Sequence, residues 1–192
     1  MLLLLLLLLL LLAAVARCSA VEFAACPDKP ATPDFDAYAF QGKWYLVKAH
    51  DFPQAQGQPG RLSCIQQVFT ANEHGDMSYK IADYDKRTQE AYRWAPATAL
   101  ERENASSDDG KFVIPYPREE DIPVSPLKHY ILSTDYINYA IIWGCFTNER
   151  ANVTLESYFV SSRTRNLSNT EEVDRTIPPE VELHDIDQTD CP

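Results

Sequence analysis

The sequence predicts an all-β fold, with about eight short strands arranged as a sandwich or a barrel. Apolar and aromatic segments recur along the chain, and turn residues separate them at a spacing of roughly 8–15 residues. Residues Met77 to Tyr84 alternate apolar and polar side chains, which is the period of a half-buried strand. Before residue 165 the pattern contains no long amphipathic helix. The 192 residues, 45% of them hydrophobic, suffice for one domain with a sizeable core.

An apolar leader opens the chain. Residues Leu2 to Leu12 form an uninterrupted leucine run, and small residues follow it up to Ala20. The run is shorter than the roughly 20 residues of a membrane span and is typical of a secretory signal peptide. We therefore expect removal of residues 1–20, with cleavage after Ala20 or, as the second choice, after Ala16. Residues 21–192 are expected to form one secreted, extracellular domain without a membrane span.

The segment after the leader, Cys26 to Phe40, contains three prolines and is predicted to be extended and free of helix. Eight predicted strands follow, each bounded by turn or polar residues: 44–49, 64–70, 77–84, 89–100, 111–116, 128–133, 139–147 and 153–163. The strand that begins at Tyr139 is apolar at every position up to Cys145, whereas a strand facing solvent would alternate. We expect its inner face to cover a core or cavity and its outer face to lie under another element.

A short helix is predicted over Asn169 to Arg175. Glu171 and Glu172 lie in its first turn, where acidic side chains complement the helix dipole. Pro178 and Pro179 must end it after about two turns. The remaining residues, Val181 to Pro192, are interpreted as a solvated acidic tail.

Four cysteines remain after removal of the leader: Cys26, Cys64, Cys145 and Cys191. An even number in a secreted chain predicts two disulfides, and the spacing leaves all three pairings open. Metal binding by these cysteines is not predicted, because the chain contains no C-x-x-C pair. The dispersed histidines and the spacing of the acidic residues in the tail fit no metal site either.

The net charge argues against two classes of partner, and the sequons fit a secreted chain. The chain has 17 Lys and Arg against 28 Asp and Glu, a net charge of −11, which argues against nucleic acid and anionic lipid surfaces as partners. Three N-x-S/T sequons begin at Asn104, Asn152 and Asn166 and predict N-glycosylation of at least one of them. Asn104 is the best candidate because it lies in a polar loop.

Three short motifs carry a family resemblance. Gly42-Lys-Trp-Tyr45 has the form G-x-W, Thr134-Asp-Tyr-Ile-Asn-Tyr139 has the form T-D-Y-x-x-Y, and Ser162-Arg163 ends the last long strand. In this order the motifs resemble those of the lipocalins, and the chain is most similar to the group of apolipoprotein D, insect bilin-binding proteins and crustacyanin subunits. The resemblance implies an eight-stranded antiparallel up-and-down barrel, or calyx, that is closed at one end and followed by a short helix.

The resemblance also assigns structural roles. It implies that Trp44 lies across the closed end near Gly42 and that the guanidinium of Arg163 packs on the indole ring. It implies the disulfides Cys26–Cys145 and Cys64–Cys191, which would tie the proline-rich segment and the tail to the barrel wall. Family members usually have a helix of about three turns after the last strand, so the packing of the shorter helix here would be reduced.

By the same resemblance the function is that of a secreted carrier of a small hydrophobic ligand, such as a carotenoid, bilin, retinoid, sterol or fatty acid. No cofactor is required, although a bound carotenoid or bilin would act as a chromophore. A secreted protein–protein recognition role with an incidental ligand is the alternative. A lipocalin-type enzyme is less favoured, because it would need a free cysteine facing the calyx and no other catalytic motif is present. Assembly into a homo- or hetero-oligomer is left open.

Candidate ligand-binding residues come from two sources. Phe40, Phe69 and Phe159 match cavity aromatics of relatives, and the alternation pattern adds four further aromatic residues, which are Tyr92, Trp94, Tyr130 and Tyr139. Two histidines, His50 and His129, would give the site a polar end. The loop from Ala49 to Arg61 is expected at the open mouth of the barrel, where it would act as a lid.

Overall fold

The strands pair in sequence order and close into a barrel. The computed structural model describes residues 25–50, 63–86, 88–89, 92–115, 125–148, 150–167 and 170–192. The leader and residues 51–61 of the expected mouth loop lie outside these ranges. The strands are β1 (Gly42–Ala49), β2 (Ser63–Ala71), β3 (Met77–Tyr84), β4 (Arg93–Trp94), β5 (Thr98–Arg102), β6 (Lys111–Ile114), β7 (Leu127–Thr134), β8 (Tyr139–Asn148), β9 (Val153–Ser162) and β10 (His184–Asp185). The helices are α1 (Ala37–Phe40) and α2 (Glu171–Thr176).

Strand β1 closes the sheet, because it pairs antiparallel with β2 on one side and with β9 on the other. Its residue Tyr45 lies opposite both Gln66 and Ser162. The short strands β4 and β5 both pair with β3 and together occupy the fourth position. The fold is therefore a closed eight-stranded antiparallel up-and-down barrel with a short helix, as predicted. In the described part of the chain no helix is long and apolar enough to cross a membrane.

Two strand boundaries differ from the predicted ones, and a proline lies at each of them. The single strand predicted over 89–100 is wrong, because β4 and β5 are separate and Pro96 lies between them. The strand predicted over 111–116 ends at Ile114, directly before Pro115. Proline has no amide hydrogen to donate to the ladder, which explains both interruptions.

The segment before β1 contains a helical turn that was not predicted. The Asp36 side chain accepts hydrogen bonds from the amides of Tyr38 and Ala39, at 2.9 and 3.0 Å, and so caps α1. The expectation of a helix-free segment up to Phe40 is wrong, because all three prolines precede Asp36 and none interrupts the turn. This turn places Phe40 at the closed end of the barrel.

Large apolar side chains fill the closed end. The ring of Phe40 stacks on Trp44 at 5.0 Å and meets Phe69 edge-on at 5.0 Å. The members of this core are fully or almost fully buried: Phe35, Ala37, Phe40, Trp44, Phe69, Met77, Leu100, Phe112, Ile114, Ile131, Ala140 and Ile142. The core leaves the space above it, toward the mouth, for a cavity.

Strand β8 is covered on both faces, as its composition predicted. Ala140 and Ile142 face the barrel core, whereas Ile141 and Trp143 belong to a second cluster on the outer wall. Val173 of α2 and Ile177, just beyond it, pack onto this outer cluster, together with residues of the proline-rich segment. The Cys26–Cys145 disulfide, which is confirmed, joins that segment to β8.

The C-terminal tail is part of the barrel wall rather than the solvated tail that the sequence suggested. Strand β10 pairs with β1 at Lys48 and Ala49, beyond the point where β1 pairs with β2. The amide of Ile186 donates to the carbonyl of Val47 at 2.9 Å. The confirmed Cys64–Cys191 disulfide fixes the end of the tail to β2. The tail therefore fills a gap where β1 and β2 separate.

Candidate ligand-binding cavity

A cavity of about 220 Å³ lies above the closed-end core. The residues around it come from six strands and share an inward orientation: Leu46, Gln67, Tyr79, Ile81, Leu127, His129, Gly144, Phe146, Leu155, Ser157 and Phe159. Most are apolar, and a few are polar, which is the usual composition of a small-molecule site. Its volume is below the roughly 300–1,000 Å³ of drug-sized ligand sites, so it fits a small ligand or one end of a longer one.

The alternation of strand side chains builds the wall. On β9 the residues Leu155, Ser157 and Phe159 all face the cavity, because every second side chain points to the same side of a strand. Tyr79 and Ile81 do so on β3 for the same reason. Gly144 on β8 lies opposite His129 of β7, and its missing side chain leaves room between them.

His129 is the most buried titratable group of this site. The residue is 5% exposed, and its Nε2 atom has no hydrogen-bond partner among the described residues. The imidazole stacks on Tyr79 at 5.5 Å between ring centroids and lies 6.5 Å from Phe69 of the closed-end core. Burial lowers the pKa of His129 from 6.5 to about 4, so the ring is neutral at pH 7.

Gln67 supplies the second buried polar side chain. Its Oε1 atom accepts a hydrogen bond from the Ser161 hydroxyl at 3.0 Å, and both residues are buried. This bond joins Gln67 of β2 to Ser161 of β9 across the intervening strand β1 and so fixes the plane of the side-chain amide. Among the described lining residues there is no Lys, Arg, Asp or Glu. The cavity therefore offers hydrogen bonds without a charged partner.

The closed end is held by Arg163. Its guanidinium carbon lies 3.8 Å from the centroid of the Trp44 ring. Gly42 makes this approach feasible, since it has a φ of +101° and an added Cβ would lie 3.3 Å from the Arg163 Nη1 atom. The Trp44 indole N–H donates to the Phe40 carbonyl at 2.9 Å. These contacts are remote from the cavity and serve the barrel base.

The structure brings only part of the predicted ligand-binding set together. His129 and Phe159 line the cavity. Phe40 and Phe69 face the interior as well, but they lie below the cavity in the closed-end core.

Three predicted ligand contacts lie on the outer wall, and these predictions are corrected here. Tyr130 packs against Trp143 at 5.2 Å, and its hydroxyl donates to the Glu103 carboxylate. Tyr139 belongs to the same outer cluster. The His50 ring lies 6.3 Å from that of Tyr158, another member of this cluster. Alternation alone cannot distinguish inside from outside on a strand that is covered on both faces.

Tyr92 and Trp94 are also corrected. Trp94 lies opposite Ala82, and because Ile81 faces the cavity, Ala82 and Trp94 face outward. Trp94 is 47% exposed. Tyr92 packs on the ring of Tyr84 at 5.6 Å and donates from its hydroxyl to the carbonyl of the C-terminal residue.

Several residues that line the cavity were not predicted, although the alternation of side chains in the sequence indicates them. Tyr79 and Ile81 belong to the period-two pattern of β3, and Leu155 and Ser157 share the parity of Phe159 on β9. Fixing one inward residue per strand would have identified them. Gly144 and Gln67 have no comparable signal in the sequence.

All three sequon asparagines are exposed on the surface. The Asn104 side-chain oxygen accepts hydrogen bonds from the amide and the hydroxyl of Ser106. Glycosylation of Asn104, Asn152 and Asn166 remains a prediction.

The chain is similar in sequence to two known proteins. The chain is 30% identical over 155 residues to the Lazarillo protein of Schistocerca americana, covering 79% of this chain and 66% of that protein. It is 27% identical over 133 residues to apolipoprotein D of Oryctolagus cuniculus, covering 69% of this chain and 64% of that protein. The chain thus spans about two thirds of the length of these relatives. The sequence matches no family model.

Solved structures agree on the fold. Insecticyanin from the tobacco hornworm Manduca sexta superposes with a TM-score of 0.63 at 20% identity, covering 86% of this chain and 87% of that one. The cockroach allergen Per a 4 gives a TM-score of 0.61 at 16% identity, covering 86% and 96%.

The closed barrel, its Trp–Arg base and its apolar cavity together form a calyx. With the 30% identity to the Lazarillo protein, they show that the chain belongs to the lipocalin family.

Proposed function

We propose that this protein is a secreted carrier of a small hydrophobic molecule, which it holds in the cavity between the closed-end core and the mouth. The cavity is the observation on which the proposal depends: it is walled by Leu46, Ile81, Leu127, Phe146 and Phe159 and offers few polar groups. Burial of apolar ligand surface against such a wall is favourable by about 25 cal/mol per Å².

Secretion is supported by the leucine-rich leader and by the two disulfides. Both bridges join segments more than 100 residues apart, at separations of 119 and 127. Disulfides of this kind persist in oxidising compartments. We therefore place the mature protein, residues 21–192, outside the cell.

An enzymatic role has less support. The four described cysteines are all engaged in disulfides, so none of them offers the thiolate that the enzyme alternative requires. His129 lines the cavity, but no nucleophile is hydrogen-bonded to its Nε2 atom within the described residues. The arrangement favours binding over catalysis.

The test is to isolate the protein from its natural source without organic solvent. A native mass spectrum should show a bound small molecule, and organic extraction should release it. An absorption band in the visible would identify a carotenoid or bilin chromophore. An empty cavity in a protein that co-purifies with a tightly bound partner protein would contradict the carrier function and favour the recognition role.

A further inference from the structure

The floor of the cavity carries a buried polar atom for which the described residues supply no hydrogen-bond partner. The Nε2 atom of His129 is buried and has no hydrogen-bond partner among the described residues, although the residue is 95% buried. Leaving such an atom unpaired costs the desolvation energy of the group, so buried polar atoms are usually satisfied. The atom belongs to a side chain that lines the cavity, and its own accessible surface is close to zero, so a ligand meets it once the imidazole ring turns toward the cavity.

The depth of His129 fixes which end of a ligand it meets. Its ring stacks on Tyr79 at 5.5 Å, and Tyr79 in turn stacks at 5.5 Å on Phe69 of the closed-end core, which lies 6.5 Å from His129. The apolar residue Leu155, by contrast, is 50% exposed at the opposite end of the cavity. The end of a ligand that reaches His129 is therefore the end that enters the cavity first.

The charge of the cavity selects the chemistry of that group. No Lys or Arg occurs among the described lining residues, so a carboxylate at the floor would lose its hydration without gaining a cation. A hydroxyl is neutral and can both donate and accept, so it satisfies Nε2 in either tautomer of the imidazole. The Gln67 Oε1 atom is already engaged by Ser161.

We propose that the cavity selects neutral ligands with a terminal hydroxyl group, which enter hydroxyl first and hydrogen-bond to the Nε2 atom of His129. This inference rests on the proposed carrier function and assigns its ligand class: an apolar alcohol rather than a carboxylic acid. His129 then acts as the specificity-determining residue, and the apolar wall supplies most of the affinity.

Calorimetric titration with 1-decanol and with decanoate at pH 7.5 tests the proposal, because the two probes share their chain and differ in the end group. The protein is purified from cells that express the full chain. We expect decanol to bind about tenfold more tightly than decanoate. His129→Phe should weaken decanol binding by about three- to tenfold and change decanoate binding by less, since only decanol loses a net hydrogen bond. His129→Gln, which keeps a polar group, should restore part of the loss.

Tyr130→Phe is the matched control, because Tyr130 is the next residue of β7 and faces the outer wall. It should leave both affinities unchanged. A second measurement needs no variant of the site: in long-range ¹H–¹⁵N spectra of the wild-type protein, one imidazole Nε2 resonance should shift on addition of decanol.

The outcomes separate the two claims. If neither probe binds to the wild-type protein, the carrier function itself is contradicted. If decanol binds but no imidazole resonance shifts, or if His129→Phe weakens both probes equally, the carrier function stands and the hydroxyl-first mode is overturned.

Discussion

The guanidinium of Arg163 lies flat against the Trp44 ring, 3.8 Å from its centroid, and also donates to four backbone carbonyls. Two of these carbonyls, from Ala39 and Phe40, belong to α1, and the others belong to Lys43 and Tyr136. One side chain thus joins α1, β1 and the turn before β8. A planar group with five donors can make all of these contacts at once, which an ammonium cannot.

Replacement of Arg163 should therefore destabilise the barrel base. We expect Arg163→Ala to lower the free energy of unfolding by about 3 kcal/mol, from the lost cation–π contact and the unpaired carbonyls. Arg163→Lys should recover only part of it. Urea unfolding measures the effect, with Arg165→Ala as the control, because Arg165 lies over Tyr45 at the longer distance of 5.0 Å. Equal losses for the Arg163→Ala and Arg165→Ala variants would contradict this role.

Gln188 should stabilise the junction between the tail and the barrel. Its side-chain amide donates to the Leu46 carbonyl at 2.7 Å and to the Ile65 carbonyl at 2.9 Å, bridging β1 and β2 where they separate. Gln188→Met keeps the length and removes both donors, so we expect a loss of about 2–3 kcal/mol in unfolding free energy. Asp190→Asn, at an exposed neighbouring position, should have little effect in the same urea titration. A Gln188→Met variant as stable as the wild type would show that the bridge is dispensable.

Substitution of Gly144 by a larger residue should fill the cavity without disturbing the barrel. A Cβ at this position would lie 3.7 Å from the Lys128 carbonyl oxygen and from Phe159 Cε2, which is ordinary contact. Gly144→Leu should therefore fold and project into the cavity, weakening decanol binding by about tenfold or more. Gly144→Ala should have a smaller effect. Calorimetry and thermal unfolding together check this, and undiminished binding in a folded Gly144→Leu variant would place the ligand elsewhere.

His129 should make stability fall in mild acid. Its pKa is about 4 in the folded protein and about 6.5 when unfolded, so between these values the unfolded chain binds a proton that the folded chain excludes. The contribution of the neutral His129 to the free energy of unfolding is complete above pH 6.5 and is lost as the pH falls toward 4. From pH 7.5 to 4.5 we expect this group to cost about 2.5 kcal/mol.

Urea unfolding at the two pH values measures this loss in the wild type and in His129→Phe. The variant should lose about 2.5 kcal/mol less than the wild type over the same interval. Comparing differences between pH values cancels any change in baseline stability. His74→Gln, in an exposed turn, is the control and should behave as the wild type. Identical pH dependence in all three proteins would refute the burial of a neutral imidazole.

The number of strands and the presence of two disulfides could be predicted from the sequence, because turns, period-two patterns and an even number of cysteines are local signals. Barrel closure and the pairing of the cysteines were predicted through the family resemblance that the three ordered motifs carry. The two apolar faces of β8 were also predictable from composition alone. The motif G-x-W could be interpreted through the resemblance, and the structure adds the reason for its glycine: Gly42 has a positive φ and lies under the Arg163 guanidinium.

The orientation of side chains on covered strands could not be predicted in this way. Tyr130 and His129 are adjacent and both buried, yet one faces the outer cluster and the other the cavity. A hydrophobic pattern predicts that a residue is buried, but it does not predict on which face of the sheet the side chain lies. A shift of one residue exchanges the two faces.

The amino-acid sequence by itself determined that the chain forms about eight short strands and two disulfides, because local patterns and the even number of cysteines suffice for these. The closed barrel and the pairing of the cysteines were implied by the resemblance to the lipocalins. The tertiary structure alone decided that Gln188 bridges two separated strands, that Gly144 leaves space opposite His129, and that the Nε2 atom of His129 is buried without a hydrogen-bond partner in the described part of the chain. These properties arise from contacts between residues distant in the chain, whose geometry exists only after the barrel has closed.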